Sequence, residues 1–237
     1  MGKKNSIITN VTITDVTNEG KGIAKVDEWV YFVDDAVPGD VVDIVVMKKK
    51  ANFREAKPIH YHHFSEKRTL PFCSHFGTCG GCKWQQVDYN WQLFYKQKYV
   101  VDALTRIGKV RLPEINPILA SEKNKYYRNK LEFTFTTSRW LSQEEIEAGK
   151  AYDRRGVGFH LAGHFNKVLD IETCYLQDEI TNRIRNGLKE FAKQHDISFY
   201  DWQTKNGTLR SMTIRTSSTG ELMVLVQFFQ HRQEELT

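Results

Sequence analysis

Four cysteines carry the most specific chemistry in this 237-residue chain. Cys73, Cys79 and Cys82 fall within ten residues, in the run Cys73-Ser-His-Phe-Gly-Thr-Cys79-Gly-Gly-Cys82-Lys-Trp84, and Cys174 follows 92 positions after Cys82. Three thiolates from one short segment and a fourth from far along the chain suit a soft metal centre that staples two parts of the polypeptide together. Structural disulfides need an oxidising compartment, and Lys3-Lys4 with no apolar run behind it is not an export signal. Cys79-Gly-Gly-Cys82 has the spacing of a dithiol redox pair, but no strand precedes it. A Zn(Cys)₄ site is a serious alternative, although zinc sites usually show two paired knuckles and Cys174 is solitary. An iron–sulfur cluster is wider than one ion and accepts a three-plus-one ligand set. Gly80 and Gly81 let the backbone wrap closely and aim N–H groups at sulfur. The spacing therefore favours a cluster over zinc, with both left open. Trp84 and Phe76 are placed to exclude solvent. His60, His62, His63 and His75 lie nearby as alternative ligands, but four thiolates already complete a site. With every thiol committed, none remains as a catalytic nucleophile, and no Ser-His-Asp spacing, phosphate-cradling Gly loop or GxGxxG motif occurs.

Composition places these residues in a globular chain. Hydrophobic residues make up 40% and charged residues 27%, which excludes wholesale disorder. No apolar run reaches the roughly 18–20 residues needed to span a bilayer, so a cytoplasmic protein without membrane partners is expected. Met1-Gly2-Lys3-Lys4-Asn5-Ser6 matches a loose myristoylation pattern and is read as chance. The net charge of +5 is unevenly spread. Residues 71–131 carry ten Lys/Arg against four Asp/Glu, whereas the flanking regions are nearly balanced. That basic middle also holds Trp84, Tyr89, Trp91, Phe94, Tyr95, Tyr126 and Tyr127, a mixture suited to a polyanion with exposed bases.

The elements that must position these groups come in two sets. Ile7 to Val16 alternates apolar with polar residues, and Ile23–Val26, Trp29–Val33, Val41–Met47 and Phe53–Ile59 follow, with turns at Glu19-Gly-Lys-Gly22 and Pro38-Gly-Asp40. Five short strands in about 55 residues predict a small closed barrel. Its rim carries Lys48, Lys49, Lys50, Arg54 and Lys57 against Glu55. Residues 61–90 read as irregular, and a helix is predicted from Trp91 to Ile107 with Gly108 as its stop. From Tyr126 the pattern becomes α+β. Strands are expected at Leu131–Thr136, Val157–His160 and Lys167–Ile171, and a hairpin joins Met212–Arg215 to Leu222–Phe229 around Ser217-Ser-Thr-Gly220. The helix Glu179–Lys193 places Ile180, Ile184, Leu188 and Phe191 on its buried face and Arg183, Arg185, Lys189 and Lys193 on the wet one. Gln230–Thr237 reads as the opening of a helix and suggests that the natural protein continues.

The order of these features is distinctive. Val11 to Ile59, with Glu19-Gly-Lys-Gly22 and Val37-Pro-Gly-Asp-Val41, leads into Cys-x₅-Cys-Gly-Gly-Cys. Tyr127-Arg128-Asn129-Lys130-Leu131-Glu132-Phe133 and Leu169-Asp-Ile-Glu-Thr-Cys174 follow. The whole resembles the RumA-type RNA (uracil-5-)-methyltransferases. The resemblance implies a TRAM-like OB β-barrel at residues 1–63 that binds RNA, followed at 64–237 by a central α+β domain holding a Cys₄ metal centre. In that reading Cys73, Cys79, Cys82 and Cys174 ligate a [4Fe–4S] cluster, and residues 91–120 form a helical segment that packs on a catalytic domain. The implied reaction is methyl transfer from S-adenosylmethionine to C5 of a uridine after a cysteine adds to C6, with the target base taken out of its stack.

The family's Rossmann-like domain, which binds S-adenosylmethionine, has no recognised counterpart in the sequence. The expectation is therefore the RNA-recognition and iron–sulfur portion of a 23S ribosomal RNA methyltransferase, monomeric and inactive alone, with no catalytic or S-adenosylmethionine-binding residue of its own. A zinc-stapled RNA-binding module and a cluster-based redox protein are the alternatives. Candidate RNA contacts are Lys48, Lys49, Lys50 and Arg54 on the barrel rim and Arg128 and Lys130 beside the cysteines, all as phosphate partners, with Phe53 and Tyr127 as stacking partners.

Overall fold

The alternation of Val11 and Ile13 with polar neighbours reappears as one wall of a closed barrel. The computed structural model describes residues 6–230, so the Met1–Asn5 part of the myristoylation pattern, and the helix-like opening from His231 onward, lie outside the described residues. Six strands, β1 (Ile7–Thr12), β2 (Asp15–Val16), β3 (Gly22–Val26), β4 (Trp29–Val33), β5 (Val41–Lys49) and β6 (Phe53–His63), pair in the order β1-β5-β6-β4-β3-β2. The two ends of that order are β1 and β2, which are joined by only Ile13 and Thr14. The sheet must therefore curl round on itself. Across the seam, Ile13 N donates to the Asp40 carbonyl at 2.9 Å and Thr14 N to the Ile23 carbonyl at 2.8 Å. β4 and β6 pair in parallel, and the other neighbours are antiparallel.

Inside the barrel, Val11, Ile13, Ala24, Val33, Val42, Ile44 and Ala56 pack into one apolar cluster. The single strand predicted over 7–16 is interrupted. A bulge falls between Ile8 and Val11, where Asn10 adopts a φ of 54°, a left-handed conformation that Asn tolerates better than most residues. Asp40, in the Pro38-Gly-Asp40 turn, is fully buried. Its carboxylate accepts from Val37 N at 2.7 Å, Ser65 N at 2.9 Å, and Arg68 Nε and NH2 at 2.9 and 2.6 Å. A buried carboxylate is tolerable only when paired and saturated with donors in this way.

Compactness divides the chain into two units: one from the chain through Phe72 with Lys83–Ala120, the other from Cys73–Cys82 with the chain from Ser121 onward. This grouping differs from a boundary at residue 63/64. Helix α1 (Tyr89–Asp102), capped by the Asp88 side chain and ending in a π-helical turn at Ala103–Ile107, groups with the barrel. There Lys98 pairs with both Asp15 and Asp102. The helix buries Tyr95 but leaves Phe94, Tyr99, Val100 and Ile107 exposed.

The second unit is α+β. Strands β7 (Lys130–Thr136), β8 (Gly156–His160), β9 (Val168–Asp170), β10 (Leu209–Thr216) and β11 (Leu222–Phe228) form a sheet in the order β11-β10-β7-β8-β9, antiparallel throughout. A short helix α2 (Gln143–Glu147) and the long helix α3 (Glu179–Gln194) complete it. Phe133, Phe135, Val157, Ile171, Cys174, Phe199, Met212 and Ile214 share one core. Helix α3 does not lie as its sequence suggests. Arg185 and Lys189, expected on the wet face, are buried with Thr181, Asn182 and Ala192, while Phe191 is exposed. Each buried charge has a partner that reverses its preference for water: Lys189 pairs with Asp170 at 3.0 Å, and Arg185 donates to backbone carbonyls.

Replacing Asp40 with Ala leaves the Arg68 guanidinium and two amides without their acceptor. It is expected to cost about 3–5 kcal/mol of stability, the range for breaking a buried ion pair. Urea denaturation followed by intrinsic fluorescence measures it, and an unchanged midpoint would show the network to be dispensable.

Candidate metal centre and nucleic-acid interface

All four cysteines belong to the second unit, and all are in the thiol state. The loop Cys73–Cys82 is docked on the end of β8. Gly80 N donates to the His160 carbonyl at 3.0 Å, and Cys79 bridges to Leu161. A Cβ on Gly80 would lie 2.6 Å from that same carbonyl oxygen, so the first glycine of the pair is a requirement of this docking. The second acts as the sequence suggested: Gly81 N donates to Cys79 Sγ at 3.4 Å. His75, considered as a ligand, instead accepts from Glu172 N through Nε2 at 3.2 Å and ties the loop to the segment ahead of Cys174. Burial lowers its pKa.

Cys174 is buried and held from both sides. Its N–H donates to Asn182 Oδ1 at 2.8 Å, and its carbonyl accepts from Asn182 Nδ2 at 3.1 Å. Arg185 NH1 donates to the same Asn182 oxygen at 2.9 Å. Burial pushes the Cys79 thiol up to about 11, opposed by the Gly81 N–H on its sulfur, with Cys82, Cys174 and Cys73 adding to the rise. Burial also raises Cys174, against the pull of the Leu176 N–H and Arg185. Burial lowers Arg185 to about 10. The four thiols therefore sense one another. Even so, among the described residues no group of three or more His, Cys, Asp or Glu side chains is arranged to hold a metal ion. The Cys₄ metal centre expected as part of the second fold is thus corrected, and the zinc-stapled alternative falls with it, because zinc needs its ligands converged on one point.

A second feature lies on the same unit. Tyr126 N donates to the Tyr175 carbonyl at 2.7 Å and Arg128 N to the Leu176 carbonyl at 2.8 Å, so the two residues after Cys174 pin the segment 126–128. Tyr126 takes a φ of 57°, a left-handed conformation that a bulky residue adopts only when its surroundings impose it. This segment borders a cleft of about 1270 Å³ lined also by Lys123, by Arg183 of α3 and by the Ser217–Gly220 turn of the β10–β11 hairpin. Glu122 and Asp178 add negative charge to the lining, and Asp178 caps α3 through Ile180 N.

The sequence candidates divide accordingly. Tyr127 and Arg128 line the cleft, and Lys130 opens β7 beyond it. Lys48, Lys49 and Lys50 stand exposed at the β5–β6 turn. Phe53 and Arg54 are engaged within the barrel instead: Phe53 packs on Phe32 with ring centroids 5.0 Å apart, and Arg54 lies 3.5 Å over the Trp29 ring and donates to the Lys50 carbonyl. Tyr126, Lys123 and Arg183 in the cleft, and Asn182 and Arg185 behind Cys174, were not singled out for the site. Their one sequence signal is adjacency to the Tyr127-Arg128 and Cys174 motifs.

Comparison with known proteins places these features. The TRAM domain model matches residues 7–59, the closed barrel. A Bacteroides thetaiotaomicron protein named an uncharacterized RNA methyltransferase is 55% identical over 209 residues, covering 88% of this chain and 46% of the relative. A Porphyromonas gingivalis protein of the same name is 46% identical, covering 92% of this chain and 48% of the relative. The chain thus spans about half the length of the relatives it matches. The crystal structure of Pyrococcus abyssi tRNA (uracil-54, C5)-methyltransferase in complex with S-adenosyl-L-homocysteine has a similar fold, with a TM-score of 0.60 and 24% identity, covering 92% of this chain and 46% of that one. The match runs through 92% of this chain, so it counts against the expectation of a chain that lacks the Rossmann-like catalytic domain and is inactive alone.

Substituting Gly80 with Ala is expected to lift the cysteine loop from β8 and return Cys79 toward an ordinary thiol pKa. At pH 8 the metal-free variant should then alkylate at this position up to about 100-fold faster than the wild type, because the thiolate is the reactive form. Mass-spectrometric alkylation kinetics give the answer, and equal rates would show that Gly80 does not set the loop. The chain carries a TRAM domain at residues 7–59 and is similar, over nearly all its length, to proteins named RNA methyltransferases.

Proposed function

We propose that this protein methylates C5 of uridine in RNA with S-adenosylmethionine as the methyl donor, and that the second unit grips the RNA strand. The observation that carries the RNA reading is the cleft at Tyr126–Arg128, together with the TRAM barrel and the methyltransferase relatives. Two adjacent tyrosines offer planar faces on which bases stack, and Lys123, Arg128 and Arg183 offer charge for phosphates. A uridine inside a helix hides its C5 edge, so the enzyme must hold the strand while the base leaves its stack. A rigid segment pinned to the chain after Cys174 serves that purpose. Lys48, Lys49 and Lys50 extend the basic surface on the barrel, and Lys130 does so on β7. No described residue is assigned to the methyl donor.

Incubation of the protein with ribosomal RNA and with tRNA, each with methyl-labelled S-adenosylmethionine, followed by nucleoside analysis, tests the reaction. 5-Methyluridine in one of the two RNAs is expected, and a methyl group at another position would overturn the reading. Arg128→Ala is expected to weaken binding of single-stranded RNA about tenfold and to reduce the slope of log affinity against log salt by about 0.7, one phosphate contact. A binding isotherm insensitive to salt would remove the cleft from consideration.

A further inference from the structure

A small cavity of about 120 Å³ opens in the first unit between the β2–β3 turn and helix α1. Val16, Thr17 and Asn18 form one wall, and Trp84, Tyr95 and Tyr99 form the other, with Lys96 beside them. Both walls are fixed. Thr17 N donates to the Lys21 carbonyl at 2.8 Å, and the Thr17 hydroxyl accepts from Lys21 N at 3.1 Å, which closes the turn. Gly20, at a φ of 83°, lets that turn press on Trp84: a Cβ there would lie 3.1 Å from the indole Nε1 and 2.9 Å from the Lys83 carbonyl oxygen. From the other side, Gln92 Nε2 donates to the Trp84 carbonyl at 3.0 Å, and Lys98 ties α1 to Asp15.

These walls carry more hydrogen-bonding capacity than the chain uses. Tyr95 is only 7% exposed, yet its hydroxyl has no hydrogen-bond partner among the described residues, and neither has the Trp84 indole N–H. Buried Tyr and Trp side chains usually satisfy these groups. Two idle donors beside ring faces suit a flat ligand with acceptors on its edge. The volume sets its size: drug-sized pockets begin at roughly 300 Å³, so this one admits a single ring and leaves anything attached to it outside. There Lys96 is exposed, while Asp15, the acid next to Val16, is already paired with Lys98. The turn itself lies within the TRAM match at residues 7–59. We propose that this cavity holds one unstacked base of an RNA strand, stacked on Trp84 and Tyr99 and hydrogen-bonded on its edge by Tyr95, with Lys96 on the adjoining phosphate. The inference deepens the RNA reading above and rests on it.

The test measures binding of labelled decauridylate and of a labelled abasic ten-mer to the full chain by fluorescence anisotropy, over a range of salt. The wild type, Tyr99→Ala and Tyr95→Phe are compared, with circular dichroism to establish folding. Stacking on one aromatic ring is lost in Tyr99→Ala, which should weaken decauridylate binding about fivefold or more and leave both the abasic strand and the slope of log affinity against log salt unchanged. Tyr95→Phe keeps the ring and removes the hydroxyl, and it should weaken decauridylate binding by about two- to tenfold. Equal decauridylate affinity in all three forms overturns the cavity while leaving RNA binding in place. An equal loss on the abasic strand overturns it in favour of backbone contacts alone. A Tyr99→Ala variant with unchanged RNA affinity and an altered mass in light scattering overturns it in favour of a contact between protein chains. If Tyr99→Ala does not fold, Tyr95→Phe decides the matter. A wild type that binds neither strand overturns the RNA reading and the cavity with it.

Discussion

The second unit turns on a single carboxamide. Asn182 closes a ring of hydrogen bonds with the peptide groups of Cys174, donating to its carbonyl and accepting from its amide, while its oxygen also anchors Arg185. Each bond is worth about 1 kcal/mol net when made, and each buried group costs more than that when left open. A helix, an irregular segment and a buried cation are therefore locked to one another by two side chains that no hydrophobic pattern would select. The apolar core of Phe133, Ile171 and Met212 supplies the bulk of the burial, and the polar ring fixes which way Cys174 faces. In the barrel Asp40 has the analogous part, since its carboxylate gathers donors from the turn, from Ser65 and from Arg68. Both units thus use one saturated polar side chain to set irregular backbone against a regular sheet.

Similarity to methyltransferases and the local chemistry point the same way, at different resolution. The relatives speak for a reaction class, whereas the cleft speaks for a grip on a strand. Its lining comes from three stretches far apart in sequence, the 121–129 segment, the start of α3 and the β10–β11 turn. No single motif contains it. The barrel adds a second basic surface whose lysines stay free of the packing that absorbs Phe53 and Arg54. Phe94, Tyr99 and Val100 of α1 stand open to solvent, while Tyr95 between them is buried.

Much of this was legible beforehand, and the misses have physical causes. Period-two alternation at Val11 and Ile13, and again at Leu131, Phe133 and Phe135, located strands because one face of each is dry. The hairpin at Ser217–Gly220 was announced by its turn residues. Helix α3 was misread because hydropathy scores a side chain without its partner. Arg185 and Lys189 are buried by Ile171, Glu172 and Asp170, which lie up to 19 positions away. Phe53 and Arg54 pack on rings of β4, contacts that hydropathy along the chain does not register. The Gly-Gly pair was understood by half: Gly81 serves the sulfur, whereas Gly80 serves the sheet.

Cys174 and Tyr175 are consecutive, and the carbonyls of Tyr175 and Leu176 are what hold Tyr126 and Arg128 in place. One peptide bond separates the thiol site from the wall of the cleft. In folding language the two form a single cooperative unit: an opening large enough to free Cys174 also releases the amides of Tyr126 and Arg128 to solvent. Hydrogen exchange at those two amides would then report on the state of a thiol site to which neither residue contributes a ligand.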